Sequence, residues 1–212
     1  ILHKLLIKLY RATPIVLTNY MKIKYIKSTN ISPYLFKHPN YSKLINFDLV
    51  QNKAIKKNKI NILIIGRQAK LLKGVVKQLS FENWPGLNFV IATKDEKLTS
   101  NENTAIIRDR LSFNDYYSLL TLADFCLFAN DASVINRASG ILIDCISLGC
   151  PIISPNTGHF EEYLDFKIGI NYKTYNDLPS IFNKIDHNGM ERYMYEKGFK
   201  EALEYSKIGK FN

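Results

Sequence analysis

Two stretches of the 212-residue chain combine cations, glycines and a lone acid at spacings that suit a phosphate-bearing ligand. The first is GRQAKLLKG, residues 66–74. Gly66 lets the backbone turn tightly after an apolar run. Arg67 and Lys73 stand six positions apart, so a loop and a first helical turn would point both into one mouth. A guanidinium is a planar fork and an ammonium a point charge, and together they suit a diphosphate. Two surface cations at a helix start would give the same letters. The stretch is neither GxGxxG nor a Walker loop, which removes support from NAD and ATP readings.

The second stretch is NDASVINRASGILIDCISLGCPII, residues 130–153. A strand ends near Asn130 and a helix opens at Ser139-Gly140. Helix N-termini present free amides and a partial positive charge, both favourable to phosphate oxygens. Gly140 removes a side chain where a ligand must come close. Asp144 is the only acid between Asp131 and Glu161 and sits in an otherwise apolar helix. It either caps or pairs locally, or accepts hydrogen bonds from vicinal hydroxyls such as those of a ribose.

These residues need a scaffold, and the pattern along the chain supplies one. INILIIG (60–66), LNFVIAT (87–93), TAIIRDR (104–110), DFCLFAN (124–130), PIISP (151–155) and IGINY (168–172) read as buried strands. Between them fall a helix over about 69–80, a helix in SFNDYYSLLTLA with Ser112 as cap and Asp115 three residues on, SGILIDCISLG (139–149), and a short helix in HFEEYLDF. DLPSIFNKIDH and the stretch from Met190 onward follow as helices. Trp84-Pro85-Gly86 is a turn. Alternation with short connections predicts an α/β fold, a doubly wound parallel sheet of Rossmann-like type. Ligands of such sheets bind outside the carboxyl ends of the strands, which places Gly66, Arg67 and the Ser139 helix start on the expected side.

Upstream, residues 1–11 and 20–29 have helical spacing, PIVLTN (14–19) reads as a buried strand, and YLFKHP (34–39) reads as a strand stopped by Pro39. Residues 40–57 are polar and rich in lysine, as in a linker. The first residue is Ile1, so a fragment or a processed product is expected.

The net charge of +10 is unevenly placed. Residues 1–60 carry 11 Lys, one Arg and the single acid Asp48, hence +11, whereas residues 61–212 carry 17 bases and 18 acids, hence −1. The basic quarter is interleaved with apolar residues and would suit anionic lipid or nucleic acid, or simply a solvated helix face. Cys126, Cys145 and Cys150 form no zinc spacing and lie in apolar runs, so they read as reduced core residues of a cytosolic protein. No run reaches the roughly 18–20 apolar residues of a membrane span, and ILHKLLIKLY is followed by no small-residue cleavage site.

The order GR…KG, then LSFNDYYSLLTLAD, then SG…IDCISLGCPII and TGHFEE resembles the C-terminal domain of GT-B glycosyltransferases, in particular the retaining family four (glycosyl transferases group 1). The resemblance covers residues 59–185. It implies a nucleotide-sugar-binding domain over 59–188, preceded by the end of an acceptor-side domain (1–45) and a linker (46–58), and followed by crossover helices (189–212). It further implies that Arg67 and Lys73 grip the donor diphosphate as the catalytic pair and that Asp144 holds the ribose. Gly66, Ser139, Gly140, Arg137 and Arg110 would line the donor site. Asn136 stands eight positions before Asp144, where that family carries a glutamate on the donor sugar. This departure bears on the identity of the sugar.

The activity implied is transfer of a sugar from a nucleotide diphosphate sugar to a carbohydrate or lipid-linked acceptor, in cell-surface polysaccharide synthesis. The expected setting is the cytoplasm, with peripheral contact at the inner membrane face. No cofactor, no metal and no nucleic-acid partner are expected. His159 with Glu161 and Glu162 mimics a metal set on paper and reads instead as the acidic start of a helix. His38 reads as a turn residue, with a catalytic base as the other option. Arg108, like Arg110, would line a base pocket or stay solvated. Two rivals remain open: a basic nucleic-acid- or membrane-surface-binding module without catalysis, and a sugar epimerase of GT-B shape.

Overall fold

The β-branched runs read from the sequence pair side by side in a computed structural model that describes residues 14–17, 19–35, 53–65, 84–94, 96, 98–129, 139–188 and 195–207. Six strands form one sheet: β3 (Ile60–Ile64), β4 (Leu87–Ala92), β5 (Thr104–Ile107), β6 (Phe125–Leu127), β7 (Ile152–Pro155) and β8 (Gly169–Tyr172). Their spatial order is β5-β4-β3-β6-β7-β8 and every pairing is parallel. The chain order therefore reverses between β3 and β6, the doubly wound arrangement whose crevice opens at that reversal. Two further strands, β1 (Ile15–Val16) and β2 (Tyr34–Leu35), pair parallel in a separate two-stranded sheet. Helix α1 (Asn19–Thr29) links them.

Central strands of such a sheet are covered on both faces, so their sequences are apolar without alternation. Ile62, Leu63 and Ile64 of β3 and Leu87, Phe89, Val90 and Ile91 of β4 are all fully buried. Each such side chain contributes about 1.5–3 kcal/mol of burial free energy. Trp84, Phe89 and Phe182 meet edge to face on one side, with ring centroids 5.1–6.2 Å apart. Phe182 comes from α4 (Leu178–Asn188).

The helices that matter for the site are α2 (Phe113–Leu122), between β5 and β6, and α3 (Gly140–Leu148), between β6 and β7. Right-handed crossovers running in the same direction place both on one face of the sheet. Ser112 caps α2 as its sequence suggests: its hydroxyl accepts from the Asp115 amide at 3.1 Å and donates to the Asp115 carboxylate at 2.6 Å. Ser139 caps α3, accepting from the Leu142 amide at 3.3 Å. Gly149 ends α3 at φ 63°, the left-handed geometry that glycine enters without a Cβ penalty.

Several expectations change in detail. PIVLTN is a strand only over Ile15–Val16, and Ile15 is exposed. Helix α1 packs against this two-stranded pair, and of the four strand residues only Val16 is buried. The helix in HFEEYLDF is a 3-10 segment over Gly158–Phe166. The C-terminal helix α5 runs over Glu196–Lys207. The helices read at 1–11 and 69–80, the strand residues 36–39 with His38, and linker residues 40–52 lie outside the described residues.

Candidate functional site

A parallel sheet places the start of each following helix at its carboxyl edge, because the chain leaves every strand at that side. Ile65 ends the described part of the β3 run and is buried, and Ala129 does the same after β6. These are the two strands flanking the reversal. Gly66, Arg67, Lys73, Asn136 and Arg137 all lie outside the described residues. The crevice is therefore described through α3, α2 and the loop that carries Arg110.

Ser139 and Gly140 open α3, as their sequence indicates. The Ser139 hydroxyl is committed to the helix as its N-cap. Asp144 is one turn further on and retains 9% of its surface. A buried carboxylate needs donors, since an unpaired charge in an apolar setting costs several kcal/mol. Two tyrosines from the first turns of α2 provide them. The Tyr116 hydroxyl donates to Asp144 Oδ2 at 2.8 Å, and the Tyr117 hydroxyl donates to Oδ1 at 3.1 Å. The two rings stand edge to face at 4.9 Å, and Phe113 lies 4.6 Å from Tyr117. Burial, and then the Asp144 charge beside it, push the Tyr116 phenol far above its ordinary range.

Neither tyrosine emerges from the sequence reading. The signal was present: an acid alone in an apolar helix must find hydroxyl or amide donors, and NDYYSLL offers two. Which helix would face α3 is a tertiary matter. Arg110 is exposed on the loop between β5 and α2. Arg108, also exposed, donates to the Leu98 carbonyl and so ties down that loop. Ser139, Gly140 and Asp144 thus share one helix, and Asp144 is joined to the helix that Arg110 precedes.

Glu162 departs from its sequence reading as a residue serving the start of its own helix. Its Oε2 accepts from the Tyr20 amide at 3.1 Å, in the first turn of α1, and its Oε1 accepts from the Tyr205 hydroxyl at 2.8 Å. The carboxylate serves α1's positive end instead. Among the described residues, no group of three or more His, Cys, Asp or Glu side chains is arranged to hold a metal ion. Among the described residues, no helix is long and apolar enough to cross a membrane. A hollow of about 310 Å³ is lined by Val16, Met21, Lys24, Tyr25 and Ser28, none of them a residue singled out from the sequence.

No protein-family description and no curated protein matches the sequence. Solved structures do match in shape. The C-terminal domain of the glycosyl transferase group 1 family protein LpcC from Francisella tularensis superposes with a TM-score of 0.56 at 15% identity, over 81% of this chain and all of that domain. WaaG, a glycosyltransferase involved in lipopolysaccharide biosynthesis, gives 0.59 at 17% identity, over 92% of this chain and 58% of its own. A glycosyltransferase from Rickettsia africae gives 0.61 at 12% identity, over 94% and 59%. The chain therefore spans a little over half the length of these two longer proteins, and the whole of the isolated domain. With its β5-β4-β3-β6-β7-β8 parallel sheet, the chain has the Rossmann-like fold of a GT-B glycosyltransferase C-terminal domain.

Proposed function

We propose that this chain binds a nucleotide diphosphate sugar and serves as the donor half of a glycosyltransferase acting on a carbohydrate or lipid-linked acceptor. One observation carries the reading. The chain order of a six-stranded parallel sheet reverses between β3 and β6, the strands followed by GRQAKLLKG and by the Ser139-Gly140 helix start. In an open α/β sheet that reversal forms the ligand crevice.

In this reading Arg67 and Lys73 neutralise the diphosphate as the bond from its terminal oxygen to the anomeric carbon breaks. Such preorganised charge stabilises the leaving group most where charge develops. The α3 start adds amide dipoles, and Gly66 and Gly140 keep side chains clear. Asp144 accepts from the ribose hydroxyls, Arg110 flanks the base, and Asn136 and Arg137 face the donor sugar. Retention of anomeric configuration follows only from the resemblance of the motifs.

Residues 1–45 would complete an acceptor-side domain, and the tail from 189 would return to it. The docking of α1 onto the 158–166 segment through Glu162, and of Tyr205 onto the same carboxylate, supports that division. The basic residues within 1–60 would meet anionic lipid at a membrane face.

Titration calorimetry with UDP, GDP and their sugars tests the donor site. Micromolar-range binding by wild type and at least about tenfold weaker binding by Arg67→Ala are expected, since a lost charge-assisted contact costs about 1.5–3 kcal/mol. Equal affinity in the two proteins sinks the diphosphate clamp. Salt-sensitive pelleting with anionic vesicles, absent with neutral ones, tests the lipid contact.

A further inference from the structure

The Asp144 carboxylate is nearly buried and already carries two donors in this structure. Both of its oxygens hold a tyrosine hydroxyl, and only 9% of the residue's surface reaches solvent. The two partners are not equivalent. Tyr117 is 3% exposed, with its ring against those of Phe113 and Tyr116, so its side chain is held within the packed interior. Tyr116 is only partly buried, and its side chain borders solvent. A partly buried phenol can rotate out and hydrate its hydroxyl at a lower cost than a fully buried one.

We propose that Tyr116 is a displaceable stand-in for a ligand diol on Asp144, while Tyr117 is the fixed partner that holds the carboxylate in place. This rests on the reading of Asp144 as the ribose-holding residue. A vicinal diol brings two donors where Tyr116 brings one. Exchange at Oδ2 therefore leaves the carboxylate at least as well satisfied as before, with Tyr117 still on Oδ1. In the ligand-free protein the Tyr116 hydroxyl keeps a nearly buried charge paired. Ligand binding must first displace that hydroxyl, so Tyr116 lowers affinity for any ligand that needs the carboxylate. It discriminates by chemistry: a ligand without the diol cannot replace the lost bond and would leave Tyr116 where it is.

Tyr116→Phe keeps the ring and removes the competing hydroxyl. Calorimetry on the full chain is then run with UDP, GDP and their 2′,3′-dideoxy counterparts. Binding of the ribonucleotide should tighten about fivefold, the scale of one neutral hydrogen bond, and binding of the dideoxy compound should not change. Tyr117→Phe should weaken ribonucleotide binding, because it frees the carboxylate to turn. Unchanged or weaker ribonucleotide binding by Tyr116→Phe overturns the proposal, as does equal tightening by both variants or tightening that persists with the dideoxy compound. A second measurement needs no variant: in wild type labelled at tyrosine for NMR, ribonucleotide should move the Tyr116 ring signals more than those of Tyr117. The reverse order counts against the proposal. If wild type binds neither ribonucleotide, the donor reading itself fails and takes this inference with it. If wild type binds and only the variant pattern is wrong, the inference alone falls.

Discussion

Glu162 accepts the Tyr205 hydroxyl at 2.8 Å, and its other oxygen accepts the Tyr20 amide, so one carboxylate joins two helices from opposite ends of the described chain to the segment after β7. The α5 side of this junction is packed without slack. A Cβ on Gly198 would lie 1.9 Å from the Phe166 carbonyl oxygen. Glu162→Ala strips one helix of an amide acceptor and the other of its hydroxyl acceptor. It should cost about 1–2 kcal/mol in urea unfolding. Hydrogen exchange at the Tyr20 amide should quicken. Unaltered protection there would mean that other contacts hold α1.

A polar network closes the opposite, amino-terminal edge of the sheet. The Asn61 amide donates to Asp124 Oδ2 at 2.7 Å. Its side-chain oxygen accepts from the Lys56 amide and from Asn88, and its nitrogen donates to the Lys56 and Lys59 carbonyls. Asn61→Leu would remove the partners of several part-buried backbone groups and of the buried Asn88 amide. A loss of about 2–4 kcal/mol is expected. Nucleotide affinity should stay unchanged, because this edge faces away from the β3–β6 crevice. A comparable loss of affinity would place the ligand elsewhere.

All three cysteines are buried and free: Cys126 on β6, Cys145 on α3, and Cys150 just before β7. Burial and the two neighbouring thiols push the Cys145 thiol well above its ordinary range. Thiolate is the reactive form, so the native protein should react slowly with a chromogenic disulfide and release three equivalents only when unfolded. One fast equivalent in the native state would contradict the burial.

Asp177 accepts from the Lys173 and Thr174 amides, each at 2.9 Å, and these bonds lower its carboxyl below the usual range. A depressed folded value stabilises the protein above the ordinary carboxylate pKa. The contribution is lost as pH falls through the lowered value. Melting curves from about pH 6 to about pH 3 should therefore show a shallower acid decline for Asp177→Asn than for wild type. Parallel curves would mean that the bonds do not persist in solution.

The doubly wound sheet is legible in the sequence because its strands announce themselves. INILI and LNFVIA are buried on both faces and carry no polar alternation, and the Ser112-Asp115 and Ser139 caps mark where α2 and α3 begin. These signals are local, set by neighbours within a turn or a strand. The edges were less legible. Two-residue β1 and β2 and the 3-10 form of 158–166 depend on how much partner surface is available, and a stretch of letters does not record that.

Asp144 shows the same division within the site. Its sequence alone marks it as an acid needing donors, one turn into a helix that starts where phosphate could bind. That the donors are Tyr116 and Tyr117, and that Glu162 serves α1 and not its own segment, follows from which faces of distant elements meet. Local propensity determines where strands and helices begin and end. Hydrogen bonds between groups 27 or 142 residues apart, side chain to side chain in one case and amide to side chain in the other, are decided only when tertiary packing brings their elements together.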